Sequence, residues 1–345
     1  MRALRSIATV ATALLLSAAL HAAEPLPGSR GPLAAKAVPG AFWTRALTGA
    51  TWSNRDSHAA LVFHDKLWVL GGWGAGPLND VWSSDDAVSW QLVTAEAPWP
   101  ARKAMAAVVF RDRMWILGGA TGGAEQANDV WSSADGTTWT QVTAAAPWSR
   151  RHNHAAVVFR GRIWVLGGWG GDRDGRDLND VWSSSDGAHW TRVTASAPWS
   201  GRNGHSAVVF NDRLWVLGGW GKGEKGDGNL NDVWSSSDGV RWQRAAGRTP
   251  WSPRNHQSAV VYQGKLWVLG GWGQNGSQEG NLNDVWTLTP GRSGRAVWQS
   301  VTGQAQWLPR NGHAGVVFRD KMWVIGGWSH FIGGSSVNDL WSSGG

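Results

Sequence analysis

"PWSGRNGHSAVVFNDRLWVLGGW", residues 198–220, decides how this chain folds, because its parts return at fixed distances along the sequence. The turn tryptophan Trp199 has counterparts at Trp52, Trp99, Trp148, Trp251 and Trp307. A second tryptophan always stands sixteen residues on, at Trp68, Trp115, Trp164, Trp215, Trp267 and Trp323. A third follows Gly-Gly at Trp73, Trp169, Trp220, Trp272 and Trp328, with Ala120 in its place in the second repeat. A fourth closes Asn-Asp-Val-Trp or Asn-Asp-Leu-Trp, at Trp82, Trp131, Trp182, Trp234, Trp286 and Trp341. The last class is Trp90, Trp139, Trp190, Trp242 and Trp298, each nine residues before a turn tryptophan, and Trp43 completes it nine before Trp52. These classes absorb all 29 tryptophans. The chain is therefore one unit repeated six times, and a residue that recurs in every unit is first of all architectural.

Each unit reads as four short strands. "HSAVVF" runs into "RLWVLGG" across Asn211 and Asp212, and "NDVWSSS" into "VRWQRA" across Asp238 and Gly239, both hairpin dipeptides. The inner two strands are apolar on both faces, which suits a sheet sandwiched between neighbours. Four-stranded units of about 50 residues set side by side describe a β-propeller. The sixth unit stops at "NDLWSSGG" without its fourth strand, and "AFWTRALTGATW", residues 41–52, supplies one. The expectation is an all-β, six-bladed propeller over residues 41–345, closed by pairing its N-terminal strand with the C-terminal blade.

The Gly-Gly doublets at 71, 118, 167, 218, 270 and 326, each followed by Asn-Asp-x-Trp and the first five also by a further tryptophan, resemble the kelch repeat over residues 41–343. The tyrosine usual in that repeat is largely missing, Tyr262 being the single one in the chain. The resemblance implies a kelch-type scaffold, and a scaffold does not fix function. Galactose oxidase is kelch-like, but its copper-radical chemistry needs a tyrosine cross-linked to cysteine, and the absence of cysteine here excludes it. Periplasmic sialate mutarotases are exported six-bladed kelch proteins and offer a comparison. No motif carries their catalytic residues onto this chain.

Residues 1–22 read as a secretory signal: Arg2 and Arg5, an apolar run from Ile7 to Leu20, then the small residues Ala22 and Ala23. Residues 23–40, rich in proline and glycine, read as a tether. No other apolar run approaches the roughly 18 residues needed to span a bilayer. The lysines and arginines are dispersed through the repeats, which argues against nucleic acid as a partner. The product is expected to be a periplasmic or secreted monomer without cofactor, held by core burial rather than disulfides.

In a four-stranded blade the turn before the first strand and the loop after the second share a face, so "RNGH" and "GGWG" open on one mouth. An arginine stands three residues after every turn tryptophan: Arg55, Arg102, Arg151, Arg202, Arg254 and Arg310. Two uses are open to them. They could converge on a carboxylate or phosphate, or pair across blades with the Asn-Asp aspartates Asp80, Asp129, Asp180, Asp232, Asp284 and Asp339. Three residues further on come His58, Met105, His154, His205, Gln257 and His313. A metal would need such ligands to converge to about 2 Å from one ion, which an axial channel opposes, so these residues are expected to bond backbone or water and no metal is expected.

Trp169, Trp220, Trp272 and Trp328 open loops of variable length, where they could stack on a sugar face or lid their own blades. The segment between Gly-Gly and Asn-Asp grows from 6 residues in the first repeat to 11 in the fourth and fifth. Variation there points to specificity leaning toward repeats three to five. The candidate ligand-binding set is these tryptophans with Arg202, Asn203, His205, Arg254, Asn255, Arg310, Asn311 and His313. Catalytic residues are not identified. The mouth acids Asp56, Glu125, Asp172, Asp174, Asp177, Glu224, Asp227 and Glu279 qualify as acid or base only where one is desolvated. The expected function is an exported binding module for a glycan or acidic ligand. A sugar epimerase or mutarotase, and a scaffold for a protein partner, are the alternatives.

Overall fold

A computed structural model describes residues 38–344 except 123–124, 172–174, 224–225, 247–248, 276–277 and 291–295. The expected signal (1–22), most of the tether, and Asp172, Asp174 and Glu224 lie outside the described residues. Among the described residues the regular structure is all strand apart from one 3-10 turn, His330–Ile332.

The fourth repeat shows why these residues form strands. Ser206–Phe210, rich in β-branched residues, pairs antiparallel with Arg213–Gly223 from Ser206↔Leu217 to Phe210↔Arg213. Both turn residues between them are left-handed, Asn211 at φ 48° and Asp212 at 52°, the twist that a two-residue hairpin needs and that Asn and Asp tolerate. The second strand then pairs with Gly226–Ser236, with a register shift between Leu217 and Gly219. Gly-Gly is that bulge. A Cβ on Gly219, at φ +103°, would lie 2.7 Å from the His205 Cβ, and one on Gly218 would lie 2.9 Å from the Arg254 carbonyl of the next repeat. At the far end Ser236 Oγ accepts from the Gly239 amide at 2.8 Å, and Asp238 Oδ1 accepts from Val240 and Arg241 at 2.9 and 2.8 Å. These bonds turn the chain into the outer strand Trp242–Ala246.

The same antiparallel order of four strands recurs along the chain. In the sixth repeat the outer strand is Thr44–Leu47, which pairs with Ser335–Ser343 through Thr44↔Ser342 and Arg45↔Trp341. Its counterparts in repeat four are Gln243↔Ser235 and Arg244↔Trp234. The expected pairing of the Trp43 segment with the strand that holds Trp341 is present. Gly40 even reproduces the hairpin glycine: its amide donates to Ser343 Oγ at 2.8 Å, and at φ +80° it lies against Trp267 of repeat five, as Gly239 lies against Trp164 of repeat three.

Packing follows from the two apolar sheet faces. Each cluster of buried side chains draws on two successive repeats, as where Val157, Trp164 and Leu166 meet Leu214, Val216 and Trp242. Repeat one packs in the same way on repeat six, Trp52, Leu67 and Val69 against Val316, Trp323 and Ile325. A buried tryptophan removes about 150–250 Å² from water, worth about 4–6 kcal/mol, so the recurring tryptophans are the main apolar store of the fold.

Trp43, only 1% exposed, meets Trp307 edge to face with ring centroids 6.1 Å apart. Trp43→Ala is therefore expected to destabilise the protein by about 3–5 kcal/mol, the usual cost of emptying an aromatic core site. Urea denaturation measures it, and a loss below about 1 kcal/mol would show that the N-terminal strand does not hold the last repeat.

Candidate functional site

Every arginine after a turn tryptophan is fully buried. Arg202 uses all five of its N–H groups. Nε donates to the Ser200 carbonyl, Nη1 to the Gly218 carbonyl and Asp232 Oδ1, and Nη2 to Ser200 Oγ and Asp232 Oδ2, at 2.8 to 3.3 Å. Arg254 repeats the pattern with Ser252, Gly270 and Asp284. Arg310 does so with Leu308, Gly326 and Asp339. Two expectations are corrected. The arginine–aspartate pairs form within a repeat rather than across blades, because the turn strand Arg202–Asn203 pairs with the second strand of its own sheet at Gly221 and Trp220. Arg202, Arg254 and Arg310 also leave the ligand-binding set, since no donor of Arg202 or Arg254 is free and all three side chains are out of reach. Burial acts to raise the Asp232 carboxyl pKa, but the Arg202 guanidinium and the Trp234 indole outweigh it and the net shift is downward.

Two residues after each arginine the chain turns left-handed, at Ser57, Ala104, Asn153, Gly204, His256 and Gly312. Their backbones are bonded head to tail. Ala104 N donates to Ser57 O, Asn153 N to Ala104 O, Gly204 N to Asn153 O, His256 N to Gly204 O, Gly312 N to His256 O, and Ser57 N to Gly312 O, all at 2.7 to 3.1 Å. These bonds form a closed cycle. Behind it sit His58, His154, His205 and His313, each buried with neither ring nitrogen in a hydrogen bond of normal geometry among the described residues. Burial, then the charge of Arg202, holds His205 down to about 3, against the Leu166 carbonyl that opposes it. His205 and His313 are thus wall, not ligand contacts. Among the described residues no three His, Asp or Glu gather closely enough to hold a metal ion.

The residue directly after each arginine is Asp56, Lys103, His152, Asn203, Asn255 and Asn311 in turn, half-buried except for the buried Asn255. Asn203 donates to Asp177 Oδ1 of repeat three at 2.6 Å, and Asn255 to Asn229 Oδ1 of repeat four at 2.5 Å. Asn311 makes a longer contact, 3.4 Å, to Asn281 Oδ1 of repeat five. Asp56 accepts from Ser57 and Ser336 hydroxyls at 2.8 and 2.7 Å. Lys103 Nζ lies 4.1 Å from the Trp73 ring centroid. Burial and the neighbouring Lys103 lower the His152 pKa. Burial raises the Asp177 carboxyl pKa, Asn203 and Arg202 opposing and Asp227 assisting. Sequence reasoning passed over Lys103, His152 and His256. Their signal was a variable position inside an otherwise invariant frame.

Trp169, Trp220, Trp272 and Trp328 are half-buried on the rim. Trp272 packs near Trp328 and His330, centroids 6.3 and 6.2 Å away. The long segments of repeats four and five continue as paired strands, to Gly223↔Gly226 and Asn275↔Gln278. Between these hairpins runs a groove of about 820 Å³ lined by Lys222, Asp227, Asn229, Trp234, Arg244, Gln274 and Glu279, among others. Trp220 and Trp272, the expected stacking residues, are not in its lining. Trp234, of the Asn-Asp-x-Trp class, is half-buried: it packs against the core of repeats three and four, has the Arg244 guanidinium 6.0 Å from its ring centroid, and lines the groove. A smaller hollow of about 510 Å³ beside repeat two has Glu125 and Arg150 but no aromatic residue.

A family model described as the KLHDC2/KLHL20/DRC7 Kelch-repeats domain matches residues 41–219 and 169–343. The leucine-zipper-like transcriptional regulator 1 homolog of Drosophila melanogaster is 32% identical over 174 residues, covering 48% of this chain and 17% of that protein. The F-box/kelch-repeat protein At1g51550 of Arabidopsis thaliana is 29% identical over 189 residues, covering 50% and 38%. This chain thus spans well under half the length of either relative. The solved structure of YjhT superposes with a TM-score of 0.68 at 16% identity, over 85% of this chain and 95% of that one, a likeness of fold.

The buried histidines make stability depend on pH. His58, His205 and His313 fall from 6.5 to about 3 in the folded state, so between those values the unfolded chain binds more protons and stability drops as pH falls. Gln257 already occupies this position in repeat five, its Nε2 donating to the Leu217 carbonyl at 2.9 Å. His205→Gln is therefore expected to keep the fold and to flatten the dependence by up to about 1.4 kcal/mol per pH unit. Urea midpoints measured across that window test it. An unchanged slope would mean that folded His205 titrates normally.

Proposed function

The chain belongs to the kelch-repeat family, and from that premise we propose that it is an exported six-bladed propeller whose loop face holds a glycan. The closed cycle of backbone bonds, the packing of repeat one on repeat six and the pairing of Thr44–Leu47 with the last strand support six blades in a closed ring. Residues 1–22 support export.

The observation that carries the glycan reading is the groove between the hairpins of repeats four and five. A sugar needs a flat apolar surface for its C–H face and polar groups for its hydroxyls. Trp234 supplies the first, and Asp227, Asn229, Gln274 and Glu279 supply the second. Lys222 and Arg244 at the same groove favour a glycan that carries acidic groups. A protein partner is the second reading, favoured by Phe331 and Ile332, 55% and 41% exposed beside the Trp272–Trp328 pair.

Neutral and acidic oligosaccharides screened by thermal shift should include one that raises the melting temperature, by mass action on the native state. Lys222→Ala with Glu279→Ala changes only exposed residues and is expected to abolish that shift while leaving the unliganded melt in place. A screen in which no oligosaccharide shifts the melt, or an unaltered response of the double variant, would overturn the groove assignment.

A further inference from the structure

The axis of the mouth carries chemistry that the groove does not use. The hydrogen-bonded cycle consumes its own backbone N–H and C=O groups, so a molecule seated there meets side chains. Three of these are nitrogen bases that form no ion pair among the described residues. Lys103 has no carboxylate within 4.0 Å among the described residues and rests on the face of Trp73. His152 Nδ1 is buried without a hydrogen-bond partner. His256 is itself a member of the cycle; its Nδ1 is engaged by Asn255 Oδ1, which leaves Nε2, and its ring lies over Gly204, where an added Cβ would stand 3.0 Å from it. Asp56 is the acid of the same cup, and the Ser57 and Ser336 hydroxyls already engage both its oxygens.

We propose that this axial cup is a binding site for a small monocarboxylate, its charge met by Lys103 and its oxygens by His152 and His256. One full cation faces one tethered carboxylate, so a single negative charge is accommodated where a dianion such as phosphate is repelled by Asp56. The site is distinct from the groove and stands or falls separately.

Binding is coupled to protons. Burial holds His256 at about 4, Asp56 acting to raise it and His152 and Lys103 to lower it. A bound carboxylate adds a second negative charge beside the ring and stabilises its protonated form. Protons are then taken up on binding, and affinity rises as pH falls toward the pKa of the bound state.

Acetate, glucuronate and inorganic phosphate, titrated calorimetrically in buffers of different ionisation heat, test this with histidine ring resonances followed by NMR. Acetate or glucuronate should bind, move the His152 and His256 signals, and tighten several-fold from about pH 7 to about pH 5 with net proton uptake. Acetate binding assigns a free carboxylate; glucuronate alone assigns an acidic sugar, and either supports the proposal. Lys103→Ala should weaken binding about tenfold or more, and Lys103→Arg should restore most of it. Phosphate binding more tightly than both carboxylates, no carboxylate binding at all, or equal affinity in Lys103→Ala would overturn it.

Discussion

Taking a guanidinium and a carboxylate out of water costs several kcal/mol per ion, recovered only when geometry is good and the remaining polar atoms are satisfied. This chain buries that pair in every repeat. The cost is met because the Arg202 fork joins three parts of one sheet at once: Ser200 in the turn, the Gly218 carbonyl in the bulge, and Asp232 on the third strand. Asp232 also accepts from the Trp234 indole at 2.7 Å, and the guanidinium lies 5.7 Å from the ring centroid of Trp199. The recurring arginine, Gly-Gly, aspartate and two tryptophan classes are thus one interaction. In repeats two and six Pro100 and Leu308 replace the turn serine, and Arg102 and Arg310 keep the aspartate and glycine bonds. The aspartate, the glycine carbonyl and the carbonyl of the turn residue are the partners kept in every repeat.

The backbone of the same arginine serves the neighbouring repeat. The Arg310 carbonyl accepts from Gly271 of repeat five at 3.0 Å, and the Arg55 carbonyl from Gly327 of repeat six at 2.9 Å. With its side chain tied inside its sheet and its carbonyl tied to the preceding one, the residue cannot move without disturbing both. Next in the chain come the mouth residue and the left-handed residue of the cycle. Both inherit that rigidity, which explains why Ser57, Ala104, Asn153 and His256 hold positive φ values near 50° without being glycine. Strain of this kind persists where surrounding structure over-determines the backbone.

Strand order, hairpin turns and the N-terminal strand beside Trp341 were all legible from the fixed spacings, since each depends on contacts that recur at constant register. Pairing direction was not legible. Six arginines and six aspartates match equally well within a repeat or across repeats when only the count is known. It took the two-residue strand Arg202–Asn203, folded back on Trp220, to bring the guanidinium over its own third strand. The tryptophan classes misled in a similar way. Trp234 is held at its indole N–H by Asp232, packs partly against the core and lies under the Arg244 guanidinium, yet it also lines the groove. The segment 328–337 of repeat six, ten residues long, was overlooked beside repeats three to five, and it brings His330 against Trp272.

A frame this tightly bonded leaves few places where a substitution can change function without cost to the fold. The arginine, the left-handed residue and the buried histidine are each committed to a neighbour. The residue between the first two varies: its backbone is fixed while its side chain changes from repeat to repeat, as Asp56, Lys103, His152 and three asparagines. The three asparagines reach the rim of the preceding repeat and act as spacers on one half of the mouth. The titratable residues occupy consecutive repeats, one to three, on the other half, with His256 reaching toward them in charge interaction with all three. The groove of repeats four and five lies on the spacer half. If both proposed sites hold, a ligand that spanned them would be acidic at one end and polyhydroxylated at the other.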